Sequence, residues 1–194
     1  MALRLNGSSS GYVELDVPAA AGSHTLTLPN SGGSSGQYLQ TNGSGALSWA
    51  GAGKILQVVN ATYATETPIT ITTFTDSGLS ASITPSSSSN KILVLVSQVA
   101  SAFRYDPFAI GKVRLVRGST EIQDGRIEST CQNHSTFGNR ITAMLSFSYL
   151  DSPATTSSVT YKTQGAPSVT ANSGQVVFQY DGKLSTITLL EVEA

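Results

Sequence analysis

The chain has 194 residues, a formal net charge of −1, and charged residues at only 12% of its positions, about half of the roughly 25% usual in globular proteins. This balance excludes the basic surface of a nucleic-acid-binding protein and the acidic excess of a disordered tail. Serine (29 residues) and threonine (22 residues) replace the missing charge. Because threonine favours strands, and serine and glycine favour turns, the composition predicts an all-β fold.

The cysteine content and the hydropathy of the chain exclude further classes of protein. Cys131 is the only cysteine, so the chain has no intrachain disulfide framework. The N-terminal sequence lacks the apolar core of a signal peptide. The longest aliphatic run, residues 92–96, is too short to span a bilayer. We therefore expect a protein without membrane insertion, assembled in a reducing cytoplasm and held together by burial or by other subunits.

Residues 1–53 form a glycine-rich segment of short extended pieces. They contain 10 of the 18 glycines and three charged residues. The stretches LRLNG, GYVELDVP and HTLTLPN resemble strands, and QYLQT and ALSWA flank Asn42-Gly43-Ser44-Gly45, a hairpin loop. A few leucines and one tryptophan cannot offset the entropy of ordering some 50 residues, about 1–2 kcal/mol each. We expect an extended shaft or attachment segment that borrows its core from neighbouring chains.

Residues 54–194 are predicted to form an antiparallel β-sandwich or jelly roll, because many short strands alternate with turn signals. The predicted strands are residues 54–61, 68–75, 79–84, 91–100, 111–117, 120–123, 139–150, 157–163, 174–180 and 184–193. The predicted core comprises Leu93, Leu95, Val113, Leu115, Leu145, Phe147, Val159, Tyr161, Phe178 and Leu190. The stretch KILVLV is apolar on both faces, which indicates that its outer face is also covered, by another subunit.

Residues with catalytic or metal-binding chemistry form no convincing site. His134 has no nucleophile elbow near it, and Cys131 and His134, at C-x-x-H spacing, supply too few ligands for a structural zinc. His24 or His134 could bind an ion on a three-fold axis, and turn aspartates could bind calcium, but both groups also have ordinary surface roles. The acidic cluster 121–128 lies beside arginines and resembles a charge-balanced hairpin rather than a glycosidase pair. We expect no catalytic residue, no metal and no cofactor.

The stretch AFRYDPF is the best candidate contact site for a receptor. Phe103, Arg104, Tyr105 and Phe108 combine aromatic rings with a guanidinium group in a predicted loop, as carbohydrate- and protein-binding loops do. The alternative is a loop whose aromatic residues plug the end of the core.

Residues 19–50 resemble the repeat-like segments of bacteriophage tail fibres and related virion proteins. The resemblance rests on AAAGSHTLTLPN followed by GSSGQYLQTNGSGALSWA, which match the spacing G-Q-x-L-x-T-x-G-x-G-x-L-x-W. The matching residues are Gly36, Gln37, Leu39, Thr41, Gly43, Gly45, Leu47 and Trp49. The C-terminal STITLLEVEA, closing residues 54–194, is similar to the last strand of trimeric jelly-roll knobs of the C1q/TNF-like type.

This resemblance implies a homotrimer whose N-terminal strands intertwine around a three-fold axis. The residues expected to pack in the trimer or to anchor it to another virion protein are Leu26, Leu28, Tyr38, Leu39, Leu47 and Trp49. The expected function is a non-catalytic virion fibre or knob that attaches to a glycan or protein of the host surface. A capsid decoration or head-fibre protein anchored by residues 1–53 is the alternative, and a small polysaccharide-degrading tailspike is a third.

Overall fold

The computed structural model describes residues 3–6, 8–15, 22–51, 54–130 and 138–194. The chain divides into two compact units, Met1–Gly53 (unit 1) and Lys54–Ala194 (unit 2). Regular structure is almost entirely β, as the composition predicts, and the described residues add only two short 3-10 turns, Ala171–Ser173 and Tyr180–Gly182. No helix in these described ranges is long and apolar enough to cross a membrane.

Unit 1 consists of two antiparallel hairpins. Its strands are β1 (Leu3–Asn6), β2 (Tyr12–Leu15), β3 (Gln37–Thr41) and β4 (Leu47–Gly51). The predicted loop at residues 42–45 joins β3 to β4, and the Asn42 side-chain oxygen accepts hydrogen bonds from the amides of Ser44 (2.9 Å) and Ala46 (3.1 Å). HTLTLPN is not a strand, which corrects the prediction, because only Thr27 forms a β-bridge, with Ala46.

Unit 2 is a sandwich of two antiparallel sheets. Its strands are β5 (Ile55–Tyr63), β6 (Thr67–Ile69), β7 (Thr75–Ile83), β8 (Lys91–Arg104), β9 (Phe108–Arg117), β10 (Thr120–Thr130), β11 (Asn139–Asp151), β12 (Val159–Pro167), β13 (Gln175–Phe178) and β14 (Ser185–Val192). One sheet has the order β10-β9-β12-β7. In the other, the long β8 pairs with β11 along one side and with β14 and then β13 along the opposite side, and β5 and β6 complete it. Two sheets connected in this order form a jelly roll.

The sandwich core lies between the two sheets. Val113, Leu115, Tyr161 and Phe178 are fully buried there, as the alternation predicts. In β11 the predicted face that includes Leu145 and Phe147 points into the core.

In β8 the predicted core face is wrong. Ile92, Val94 and Val96 point inward, whereas Leu95 is 39% exposed and Leu93 is half-buried on the outer surface. Leu190 of β14 is likewise half-buried, on the same outer surface. Because residues 92–96 are apolar on both faces, alternation could not indicate which face is inside.

The predicted strand at residues 68–75 is much shorter in the structure. Thr67–Ile69 pair with the short strand β13, and Thr75 already belongs to β7. Ile69 is buried, whereas Ile71 is 54% exposed. After Ile69 the chain leaves the six-stranded sheet and enters β7 of the other sheet. The intervening residues therefore have no partner strand.

Candidate functional site

The candidate contact residues lie at one end of the sandwich, called the tip here. The tip consists of residues 103–108, at the β8–β9 turn, and residues 168–174, which follow β12. At the opposite end, called the base, Ile55 pairs with Val192, which pairs with Lys91 at the start of β8. β8 runs from base to tip over 14 residues, or about 45 Å at about 3.3 Å per residue. The chain therefore enters unit 2 at the end farthest from the candidate residues.

Hydrogen bonds fix the backbone of the tip. The Tyr105 amide donates to the Asn172 carbonyl (2.8 Å). The Asp106 carboxylate accepts hydrogen bonds from the Asn172 side-chain amide (3.2 Å) and the Phe108 backbone amide (3.3 Å). Arg104 forms an ion pair with Asp106 (3.2 Å) and donates from Nε to the Ala171 carbonyl (3.2 Å). Arg104 thus ties two loops together.

The aromatic residues of the tip fall into two groups. Phe103 and Tyr105 pack edge to face, with ring centroids 5.0 Å apart and an interplanar angle of 83°. Phe108, 51% exposed, lines a cavity of about 90 Å³ together with Phe103, Ile110 and Val169. The cavity is too small for a sugar ring, so Phe108 closes the end of the core as much as it faces solvent.

Two further residues, Arg140 and Tyr180, belong to the cluster and were not found from the sequence. The Arg140 guanidinium carbon lies 4.7 Å from the centroid of the Phe103 ring and 4.5 Å from that of Tyr180, within the range of a cation–π interaction. Arg140 Nη1 also donates to the Ser101 hydroxyl (3.1 Å). The one available signal was that Arg140 is the single cation in the otherwise neutral run of residues 139–150.

The outer face of the four-stranded sheet carries a network of opposite charges. One row across the sheet consists of Asp76, Gln164, Arg114 and Asp124. Lys162 forms an ion pair with Asp76 (2.8 Å). Burial alone would raise the pKa of Asp76, but hydrogen bonds from Lys162 and Gln164 outweigh it and lower the pKa. A continuous polar network covers this face.

The acidic cluster 121–128 lies on the same face, and Glu121 joins the network through Arg114. Glu121 forms an ion pair with Arg114 (2.9 Å), and Glu128 forms one with Arg126 (2.6 Å). The guanidinium of Arg114 also stacks on Phe74, 4.1 Å from the ring centroid. These carboxylates are balanced by arginines, as in a solvated charged face.

The outer face of the six-stranded sheet has the opposite character. Three successive rows across β5, β14, β8 and β11 contain no charged residue. The rows, starting at the base, are Val58-Leu190-Leu93-Leu150, Asn60-Thr188-Leu95-Ser148 and Thr62-Thr186-Ser97-Ser146. Val58 is 59% exposed and Leu150 49%. We call these three rows the uncharged face.

Unit 1 has no core of its own among its described residues, none of which is buried. The apolar residues predicted to pack or anchor are exposed, from 43% for Leu39 and 48% for Tyr38 to 66% for Leu26 and 69% for Leu28. Leu47 is exposed to an intermediate degree.

Trp49 is the best-packed of the six predicted residues of unit 1. It is partly covered by Gly33, and its Nε1 donates to the Ser31 carbonyl (2.7 Å). The other five present apolar surface to water.

The metal ligands considered from the sequence form no site among the residues that the structure describes. Cys131 and His134 lie outside the described residues. His24 is exposed in unit 1. Within the described ranges, no group of three or more histidine, cysteine, aspartate or glutamate residues is arranged to hold a metal ion.

Comparisons with known proteins give no family. No family model matches the chain, and no curated protein matches it. Among solved structures it is similar to a chain of the T=1 particles derived from infectious bursal virus, with 12% identity and a TM-score of 0.30 over 98% of this chain and 44% of that one. Structures of the Gt and Gx strains of infectious bursal disease virus match with 16% and 14% identity and TM-scores of 0.28 and 0.29.

The chain spans less than half the length of the virus chains it matches, since the Gt and Gx matches cover 98% of this chain and 46% and 45% of theirs. Similarity at this level identifies no function. The function has to be inferred from the residues of the chain itself.

Proposed function

We propose that the chain is a non-catalytic structural protein of a bacteriophage particle, a homotrimeric short fibre or fibre knob that attaches to the host surface. The observation that carries this proposal is that unit 2 has its chain entry and its aromatic–arginine cluster at opposite ends. The chain enters at the base, and the aromatic–arginine cluster lies at the tip, about 45 Å away along β8. A protein anchored through its first residues exposes its far end, which is where a receptor-binding cluster is useful.

The exposed apolar residues of unit 1 support anchoring through residues 1–53. Leu26 and Leu28 are each about two-thirds exposed. Apolar surface of this kind is stabilised when it is removed from water, at about 25 cal/mol per Å². Other copies of the segment, or another virion protein, would cover it. The resemblance of residues 19–50 to fibre repeats supports three copies intertwined.

The uncharged face supports self-association of unit 2. Burying it against a second copy would desolvate threonine and serine hydroxyls and leucine side chains but no ion. The polar network on the opposite face would require ion pairs such as Lys162–Asp76 to be desolvated. Interface cores are depleted in charged residues. The uncharged face is therefore the surface we assign to contacts between copies, and the charged face is left in solvent.

The oligomer proposal is tested by native mass spectrometry of the full chain. We expect three times the chain mass of 20.2 kDa. We expect Leu95→Glu to lower the fraction of trimer, because it places a charge at the centre of the uncharged face and leaves only residues 1–53 to hold the copies together. Ser80→Glu, on the exposed face of the other sheet, is the matched control and should remain trimeric. A wild-type mass of one chain would contradict the trimer.

The location on the particle separates host attachment from the alternative of a capsid decoration or head-fibre protein, which would use the same anchor. Intact particles are labelled with a gold-conjugated antibody raised against residues 54–194. Label at the tail supports the attachment function. Label over the head would replace it with decoration. Sustained release of reducing sugar from host polysaccharide would contradict the assignment as non-catalytic.

A further inference from the structure

Among the arginines of unit 2, Arg140 alone has no carboxylate partner within the part of the chain that the structure describes. The arginines that form ion pairs in the described part of the chain are Arg104, Arg114, Arg117 and Arg126. Arg140 has a single hydrogen bond to a neutral hydroxyl, that of Ser101. The undescribed residues 131–137, which precede its strand, contain no aspartate or glutamate. Its side chain is exposed, so the charge is available to a ligand.

The guanidinium of Arg140 is nevertheless held in a defined position. Phe103 and Tyr180 both lie within 4.7 Å of its central carbon. Phe103 is fixed in turn by Tyr105 and by the start of β11, where a Cβ on Gly138 would come 2.7 Å from the Phe103 ring. Ordinary surface arginines lose side-chain entropy when they bind. Here part of that loss has already occurred, which favours tight binding of an anion.

The nearby acidic groups are engaged elsewhere. Asp181 follows Tyr180 in sequence, but its carboxylate pairs with Lys183 (3.2 Å). Glu66 accepts a hydrogen bond from the Asp181 backbone amide (2.9 Å). Asp106 pairs with Arg104. The charge of Arg140 is therefore left uncompensated by these groups.

We propose that Arg140 binds the carboxylate of an acidic sugar, such as a uronic or sialic acid of a host surface polysaccharide, with Tyr105 and Tyr180 contacting the sugar ring. A planar guanidinium binds a carboxylate through two parallel hydrogen bonds. Aromatic rings beside it cover the apolar C–H face of a sugar and offer a phenol hydroxyl to its polar edge. The cluster supplies both, and Tyr105 is 46% exposed. This inference rests on the proposed attachment function and specifies its ligand.

The test uses purified full-length protein and an array of bacterial surface polysaccharides, some rich in uronic or sialic acid and some neutral. Each acidic polysaccharide is also spotted after chemical reduction of its carboxylates to alcohols. Binding is compared for the wild type, Arg140→Gln and Arg140→Lys. Arg126→Gln, which removes an exposed arginine paired with Glu128, is the matched control. Adherence of the same proteins to the bacteria that supply the polysaccharides is measured in parallel.

We expect the wild type to bind at least one acidic polysaccharide and not its reduced form. Arg140→Gln should weaken this binding about tenfold to a hundredfold, the range for loss of a charge-assisted hydrogen bond. The affinity of Arg140→Lys should lie between those of the wild type and Arg140→Gln, because lysine keeps the charge but lacks the planar guanidinium group that forms two parallel hydrogen bonds. Arg126→Gln should bind as the wild type does.

Three results would overturn the inference: binding that survives carboxylate reduction, as a phosphate ligand would give; Arg140→Gln binding like the wild type; or no array binding at all. If the wild type still adheres to bacteria in these cases, the attachment function stands and only the acidic-sugar ligand falls. If the wild type adheres to no bacteria, the attachment function itself is contradicted.

Discussion

Glu191 is buried without a cation, and its replacement should reveal how the end of the chain is fixed. Its Oε1 accepts hydrogen bonds from the Ser86 amide and hydroxyl (both 2.7 Å) and from Asn90 Nδ2 (2.6 Å). Its Oε2 accepts one from Gln57 Nε2 (2.6 Å). Burial alone would raise the pKa of Glu191, but the hydrogen bonds from Asn90, Gln57 and Ser86 outweigh it and lower the pKa to about 2. The carboxylate thus joins β14 to β5 and to the β7–β8 loop.

The loss of stability expected for Glu191→Gln follows from these hydrogen-bond donors. The amide oxygen can replace Oε1, but the amide NH₂ then faces Gln57 Nε2, which already donates to the Thr84 carbonyl (2.7 Å). Two donors opposed in a buried site cost about 1–3 kcal/mol, and the three bonds to Oε1 lose their charge assistance. We expect a loss of about 2–4 kcal/mol in the free energy of unfolding. This lowers Tm by about 4–16 °C at about 2–4 °C per kcal/mol.

The assay is thermal unfolding of wild type and Glu191→Gln from pH 7 down to pH 2. The pKa of Glu191 is lower in the folded state than its ordinary 4.5, so the stabilisation is fully present above pH 4.5 and is lost as pH falls towards 2. The gap in Tm should therefore narrow across that window. Glu193→Gln, two residues away and exposed, is the control. Equal Tm values at pH 7, or a gap that persists unchanged at pH 2, would refute the reasoning.

Two further predictions concern other contacts. A Cβ at Gly33, where φ is +70°, would lie 2.6 Å from the Trp49 ring. Gly33→Ala should therefore shift the fluorescence emission of Trp49, the single tryptophan, to longer wavelength. The control Gly32→Ala, whose added Cβ would have nothing within 4 Å, should leave the emission unchanged. Burial raises the pKa of Tyr161, and so, to a smaller extent, does its hydrogen bond to Asp151 (2.6 Å). Tyr161→Phe should lower the free energy of unfolding, measured by chemical denaturation, by about 1.5–3 kcal/mol. An unchanged free energy of unfolding would show that this hydrogen bond does not stabilise the fold.

The sequence predicted the fold class and most strands because alternation is a local signal. β11 illustrates this: its apolar residues alternate with polar ones, so one face was identifiable. β8 was harder because both of its faces are apolar at residues 92–96. Which face is inside depends on pairing with β14 and β11, which is information from distant parts of the chain. The strand was predictable and its orientation was not.

The candidate site was only half predictable for a related reason. Phe103, Arg104 and Tyr105 are neighbours in sequence, so their aromatic and basic character was visible together. Arg140 and Tyr180 reach the same cluster from β11 and from the turn after β13. The sequence also could not show that Arg104 is used within the tip by Asp106, while Arg140 has no acidic partner there. The distribution of ion pairs, which only the structure shows, makes Arg140 rather than Arg104 the arginine whose charge is free to contact a ligand.

The low charge content of the chain is explained by where the charges lie. On the four-stranded sheet, Arg114 and Lys162 take part in a network of opposite charges, which keeps that face hydrated and poorly suited to a subunit contact. Across the other sheet, serine and threonine occupy the positions between the leucines. Burying these neutral hydroxyls costs less than burying a charged group, provided that each finds a hydrogen-bond partner. A composition rich in hydroxyls and poor in charge therefore fits the proposed assembly, in which one sheet of the sandwich contacts other copies and the other faces water.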